Sequence, residues 1–309
     1  MTAPPLLRDL RREVRDGGLL LLAREDRRLP LAFLGVGLRS GTVHDPPGKE
    51  GALRLLLALL KKGAGGRDAE GIAADLESLG ASLLERASCD HALLGVEILS
   101  ERSGDAATLL ADLALRPTFP SSEVEKERRR LASEIRQEEE DARAAASRKF
   151  ERALFPAHPY GRPSGGTAEG VEAVSREDLL ALHSRLFVPG NALLLLLGDV
   201  EPGRAEAALR AFGDWGGVPP PASDLPAPKA AGRRVLLAHR PGATQAQLRF
   251  GGISVPRADP SYFPLLVANT VLGGGFSSIL VNAVRVNRGL TYGIGSRLDA
   301  RRVGGAIRI

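Results

Sequence analysis

The sequence has few of the side chains that usually carry chemistry. Its one cysteine, Cys89, excludes an intrachain disulfide and a cysteine zinc site. The five histidines are His44, His91, His158, His183 and His239, and no two lie three to five residues apart, so no local zinc pair exists. There is no G-x-S-x-G, and Cys89 has only His91 near it in sequence as a base. Aromatic residues are 4% of the chain, so no basic tract is interleaved with stacking rings. The 42 basic residues are spread among 37 acidic ones, and a net charge of +5 does not by itself indicate a nucleic-acid surface. Leucine runs such as Leu193 to Leu197 are far shorter than the ~20 residues that span a bilayer. The N-terminus, MTAPPLLRDLRREVRDGG, is polar and has no apolar signal core. At face value the chain is cytoplasmic, or periplasmic if a signal segment has been removed.

What is present is apolar content of 43% in 309 residues, enough for a large core and too long for one ordinary domain. Residues 18–23 and 29–37 read as strands flanking the charged turn REDRR. The stretch GALRLLLALLKKG (Gly51 to Gly63) is apolar on nearly every turn, with cations and glycine at its end, and predicts a buried helix. A helix over 68–79, strands over 82–88 and 92–99, and a helix over 105–115 follow. One long charged helix is expected from Ser121 to about Phe155, with Val124, Leu131, Ile135, Phe150 and Leu154 on one face. HPYGRPSGGT is a loop, SREDLLALHSRLF a helix capped by Ser175, 191–197 a buried strand and 201–212 a further helix.

After the Gly/Pro-rich segment the pattern starts again. RRVLLAHRPGATQAQLRFGGISVPRADP mirrors LLLLAREDRRLPLAFLGVGLRSGTVHDP, and SYFPLLVANTVLGGG mirrors GALRLLLALLKKGAGG, which indicates an internal duplication. The expected division is residues 1–215 as a first α/β unit, 216–232 as linker and 233–309 as the N-terminal part of a second unit. That copy stops before a counterpart of the charged helix, and a remainder on the order of 100 residues is expected from the repeat. Gly273-Gly274-Gly275 follows a helical pattern and lacks G-K-[ST], which argues against a phosphate loop.

The frame of strand ending in RSG, PGKEG, leucine-rich helix, KG and a helix ending in ESLGASL resembles the first domain of the insulinase/pitrilysin-like zinc peptidases, the inverzincins, of the mitochondrial processing peptidase type. The resemblance implies an α+β fold of duplicated α/β units, each an antiparallel-rich sheet with helices packed on one face, the second unit incomplete in this chain. It also implies His-x-x-Glu-His on the helix, two imidazoles holding zinc and a glutamate activating water. Those positions here are Arg54, Leu57 and Ala58, so no metal and no cofactor is expected in this chain. The family's distal glutamate ligand falls on Glu134, and Arg54 is its candidate ion-pair partner.

LGGGFSSILVNAVRVNRGLTYGIGS resembles the family's second-domain signature, a Gly-rich bend, a helix, then R-x6-Y entering a strand. The resemblance assigns Arg285 and Tyr292 to holding the substrate backbone and stabilising the oxyanion beside the zinc, with Gly273, Gly274, Gly275 and Phe276 along the peptide. The pattern is that of the non-catalytic subunit of a heterodimeric peptidase, its zinc expected in a homologous partner subunit. The alternative is a peptidase-derived structural or binding protein like the core subunits of a respiratory complex. Whether the chain takes part in hydrolysis is left open; none is expected from it alone.

Overall fold

The run LAFLGVGL places Ala32, Leu34, Val36 and Leu38 at alternate positions, and all four are buried on one side of a strand. A computed structural model describes residues 9–200, 210–213, 215–218, 225–230 and 232–309. Packing divides the chain into two compact units, Met1–Ile135 with Ser164–Ala222, and Arg136–Pro163 with Ser223–Ile309. The division expected from the sequence left 136–163 in the first unit.

In the first unit β1 (Arg11–Val14), β2 (Leu20–Glu25) and β3 (Leu31–Leu38) lead to α1 (Ala52–Leu60). A small hairpin, β4 (Gly63–Ala64) with β5 (Arg67–Asp68), precedes α2 (Ala69–Leu79), β6 (Ser82–Ala87), β7 (Ala92–Leu99) and α3 (Ser103–Leu115). After α4 (Ser121–Glu140) and α5 (Ala142–Leu154), the chain returns through α6 (Ala168–Glu172), α7 (Arg176–Leu186) and β8 (Ala192–Gly198). The main sheet has the order β1-β2-β8-β3-β7-β6. Only β2 and β8 run parallel; the other four pairings are antiparallel. The late strand β8 therefore slots between β2 and β3, and α3 packs on β3 and β7.

Helix α1 forms where the sequence places it. Leu53, Leu55, Leu56, Leu59 and Leu60 are completely buried, and each contributes on the order of 1.5–3 kcal/mol by leaving water. Its N-terminus is held by buried Asp45, whose carboxylate accepts from the N–H of Gly51 at 2.8 Å and of Leu53 at 2.9 Å. Gly51 has φ 105°, and a Cβ there would meet Val171 Cγ2 at 2.6 Å, so both conformation and space require glycine.

Two differences from the sequence reading have physical causes. The charged helix expected from Ser121 to Phe155 is broken at Asp141, which has ψ 118° and accepts from the Ala144 N–H at 2.6 Å. Aspartate satisfies a helix start better than a helix interior, and α5 belongs to the second unit. Strand β1, a charged RREV with no apolar signal, is recruited by antiparallel pairing along β2. Of the helix expected over 201–212, residues 201–209 lie outside the described residues. Within the segment expected to end the first unit, Trp215 Nε1 donates to the Phe187 carbonyl at 2.9 Å and packs on that unit's core.

The second unit has a three-stranded antiparallel sheet, β10 (Arg297–Ala300), β11 (Gly305–Arg308) and β9 (Gly251–Ser254), in the order β10-β11-β9. Helix α8 (Tyr262–Asn269) replaces the longer helix expected and passes into a π-helical turn at Thr270–Gly274. Buried Asn269 is tied to Ser296, donating from Nδ2 to its carbonyl at 3.3 Å and accepting from its Oγ at 3.2 Å. Arg301 is buried in this unit, bonded to the Tyr160 carbonyl and Asp299 and lying over the rings of Phe155 and Tyr160.

Candidate functional site

The face of α1 that would carry a metal motif carries Arg54, Leu57 and Ala58. Arg54 Nη2 donates to Glu134 Oε1 at 2.6 Å, and Nη1 donates to the Gly165 carbonyl at 3.2 Å. Glu134 lies on α4, and its second oxygen accepts from Arg130 Nη1 at 2.8 Å. Arg130 also donates to Glu127 Oε1 at 2.6 Å; Glu127, two turns before Glu134, is buried. The two carboxylates hold the Arg130 proton above its ordinary affinity. Where α1 ends, Lys61 Nζ lies 3.1 Å from Glu85 Oε1 on β6. Burial pushes the Glu85 carboxyl above its ordinary value, the Lys61 charge offsets part of that, and Glu127 adds to it.

Zinc does not fit here. Arg54, Leu57 and Ala58 offer a guanidinium and two hydrocarbon side chains, and the one matching carboxylate, Glu134, already takes two guanidinium donors. Among the described residues no three His, Cys, Asp or Glu side chains form a metal-ligating group. Four of the five histidines are engaged separately: His183 Nε2 donates to the Ala114 carbonyl at 2.8 Å, His91 pairs with Ser88 Oγ, and His44 and His158 meet backbone carbonyls. The Arg54–Glu134 pair is part-exposed, which places its worth at about 0.5–1 kcal/mol.

Beside this helix runs a sheet edge that no further strand of the described residues covers. Strand β6 is the last in the order, paired on one side with β7 alone, with alternate residues exposed. Its outward N–H and C=O groups form a template on which an extended peptide can add as a strand.

The second candidate cluster lies in the π-helical segment Val281–Val286 and the turn after it. Arg285 sits at the end of that segment, and its guanidinium lies 4.9 Å from the centre of the Phe276 ring. A cation over an exposed ring contributes about 0.5–1 kcal/mol and fixes the direction of the guanidinium. No carboxylate of the described residues pairs with Arg285. Tyr292 was expected to enter a strand; the strand begins only at Arg297, and Tyr292 is 92% exposed in irregular chain. The backbone turns sharply before it, with the Leu290 N–H on the Val284 carbonyl and the Gly289 N–H on the Arg285 carbonyl, Gly289 having φ 59°. Of the glycines, Gly273 is enclosed: a Cβ would meet the Ser296 nitrogen at 2.5 Å, so its smallness serves the fold. Gly275 has open space around it and Phe276 is 81% exposed.

The structure thus brings Arg54 and Glu134 together, with Leu57 and Ala58 on the same helix, and brings Phe276 to Arg285. It gives Tyr292 no partner among the described residues. Sequence reasoning passed over Glu127, Arg130, Lys61 and Glu85. For the first two the signal was present, since Glu127, Arg130 and Glu134 fall at three- and four-residue spacings on one helix.

Comparison with known proteins gives the family and the fold. Residues 21–168 match the insulinase (peptidase family M16) profile, and residues 173–307 match the peptidase M16 inactive domain. The chain is 30% identical over 302 residues to an uncharacterized zinc protease of Mycobacterium bovis, covering 97% of this chain and 69% of that one. It is 24% identical to a non-peptidase homolog from Helicobacter pylori, over 94% of this chain and 67% of that one. Among solved structures, a peptidase M16 inactive domain from Pseudomonas fluorescens superposes with a TM-score of 0.86 at 26% identity, covering 97% of this chain and 73% of that chain. A Helicobacter pylori protease at 18% identity gives 0.87, a likeness of fold. The chain belongs to the M16 peptidase family and has the fold of its inactive domains. It spans about two thirds of the length of the curated relatives it matches.

Proposed function

We propose that this chain is the non-catalytic subunit of a heterodimeric zinc peptidase. One contrast carries the reading: the metal-motif face of α1 is closed by the Arg54–Glu134–Arg130 network, while the side chains of Arg285 and Tyr292 have no polar partner among the described residues. A zinc-bearing homologous subunit would supply the hydrolytic centre. This chain would hold the substrate as an extended segment, and Arg285 and Tyr292 would direct a guanidinium and a phenol at the oxygen that gains charge in the transition state. By this reading the isolated chain does not hydrolyse peptides.

Mild affinity purification of the chain from its own cells, with partners identified by mass spectrometry, tests the first half. An equimolar partner carrying His-x-x-Glu-His is the expected result; recovery without one rejects the split enzyme. In the recovered complex, Arg285→Ala or Tyr292→Phe is expected to lower kcat by roughly ten- to a thousandfold, the range for losing an oxyanion donor, with assembly intact. Unchanged turnover removes both residues from the site.

The second reading is a peptidase-derived binding or structural protein without proteolysis. The relative described as a non-peptidase homolog favours it. It predicts peptide binding and stoichiometric partners that lack the zinc motif.

A further inference from the structure

The charge of the chain is unevenly distributed. Residues 223–309 carry twelve basic and three acidic side chains, a net of +9, against +5 for the whole chain. Between residues 260 and 298 there is no aspartate or glutamate, and the three charges present are Arg285, Arg288 and Arg297. None of these three has an acidic partner among the described residues, whereas Arg301 and Arg308 are paired with Glu151 or Asp299. The first two stand among exposed apolar side chains on a short stretch: Phe276 against Arg285, and Val286, Leu290 and Tyr292 around the turn. Such a surface offers cations in partly apolar surroundings, where a carboxylate gains a charge-assisted bond and a lysine meets repulsion.

We infer that the surface around Phe276, Arg285, Arg288, Leu290 and Tyr292 recognises an extended peptide in which acidic residues alternate with apolar ones, and discriminates against basic peptides. This rests on the peptide-binding reading above and adds the chemical class of the peptide. Charge complementarity selects the occupant. The arginines are interspersed with aliphatic residues rather than arrayed along one charged face with a row of stacking rings, which favours a peptide over a nucleic acid.

The test uses the whole chain and three fluorescein-labelled peptides with the same alternating leucine and phenylalanine frame, the intervening positions being glutamate, glutamine or lysine. Fluorescence anisotropy at low salt is expected to rank them glutamate, glutamine, lysine, the glutamate peptide binding about fivefold tighter than the glutamine one. That factor corresponds to two part-exposed charge contacts. It should shrink in 0.5 M NaCl, where the Debye length falls to about 4 Å. R285Q/R288Q should bind all three alike, and Arg288→Glu, an exposed substitution, should reverse the order.

Equal binding of the three peptides by the unaltered chain overturns the acidic preference and leaves the peptide-binding reading standing. Binding of none overturns both. Tighter binding of an oligo-dT strand than of the glutamate peptide overturns the choice of a peptide as occupant.

Discussion

The two copies of the repeated pattern fold differently, and the difference shows what makes a strand. LLLLARE at residues 19–25 and RRVLLAHR at 233–240 read alike, yet only the first is a strand. Leu20 to Leu22 pair in parallel with Leu193 to Leu195 on one side and antiparallel with β1 on the other, and Leu21 is fully buried. In the second copy Val235 is 90% and Leu237 95% exposed. The sheet order accounts for this. β10-β11-β9 corresponds to β6-β7-β3 of the first unit, but the neighbour that follows β3 there is β8, and among the described residues the second unit has no strand in that place. Backbone groups with no ladder partner stay in water, so the apolar pattern of 233–240 is necessary for a strand and not sufficient. The helices repeat the lesson. α1 buries seven of its nine residues, whereas Asn269 alone is buried in α8.

The largest expected effect sharpens this contrast. Leu56→Ala removes a side chain with no exposure and should cost about 2–5 kcal/mol, read as a shift of the denaturant midpoint for the first unit. Leu237→Ala should stay within about 0.5 kcal/mol. Equal shifts would mean that the second copy buries its leucines in solution, and the contrast between the copies would be lost.

A smaller effect separates the cations of the two copies. A double-mutant cycle on Arg54→Ala and Glu134→Ala should give a coupling of about 0.5–1 kcal/mol, since the pair is part-exposed but also anchored on Gly165 and Arg130. Arg285→Ala, with only the exposed Phe276 ring beside it, should cost less. The purified chain should hold zinc well below one equivalent by elemental analysis. Zinc near one equivalent would sink the idea that an ion pair stands where a metal site would be.

What the sequence disclosed follows the same division between local and distant causes. α1, α2, α7 with its Ser175 cap, and strands β2, β3, β6, β7 and β8 announced themselves through periodicity and caps. The ion pair at Arg54 was legible because helix spacing and the resemblance together located Glu134. The break at Asp141 was not, because a charged helix carries too little apolar pattern to show where it ends. β1 was missed since its only reason to be a strand is the neighbour it pairs with. The long helix expected from SYFPLLVANTVLGGG gave way to a π turn because Asn269 bonds Ser296, a residue far along the chain.

The smallest expected effect concerns acid, and it too divides the copies. His183 on α7 is half-buried between Phe119 and Phe187, its ring stacked on Phe187 with centroids 4.6 Å apart. Desolvation lowers its pKa below the ordinary 6.5, and the bond to the Ala114 carbonyl offsets only part of that. The folded state therefore resists a proton that the unfolded chain accepts. Stability contributed by the neutral ring is complete above pH 6.5 and falls as pH drops from there through the folded pKa. His239, in the second copy, is exposed and has no such enclosure. The loss in denaturant midpoint between pH 7.5 and 5.5 should be smaller in His183→Gln than in the unaltered chain, and His239→Gln should leave it unchanged. The same loss in all three would place the acid sensitivity in other groups and leave His183 a packing residue alone.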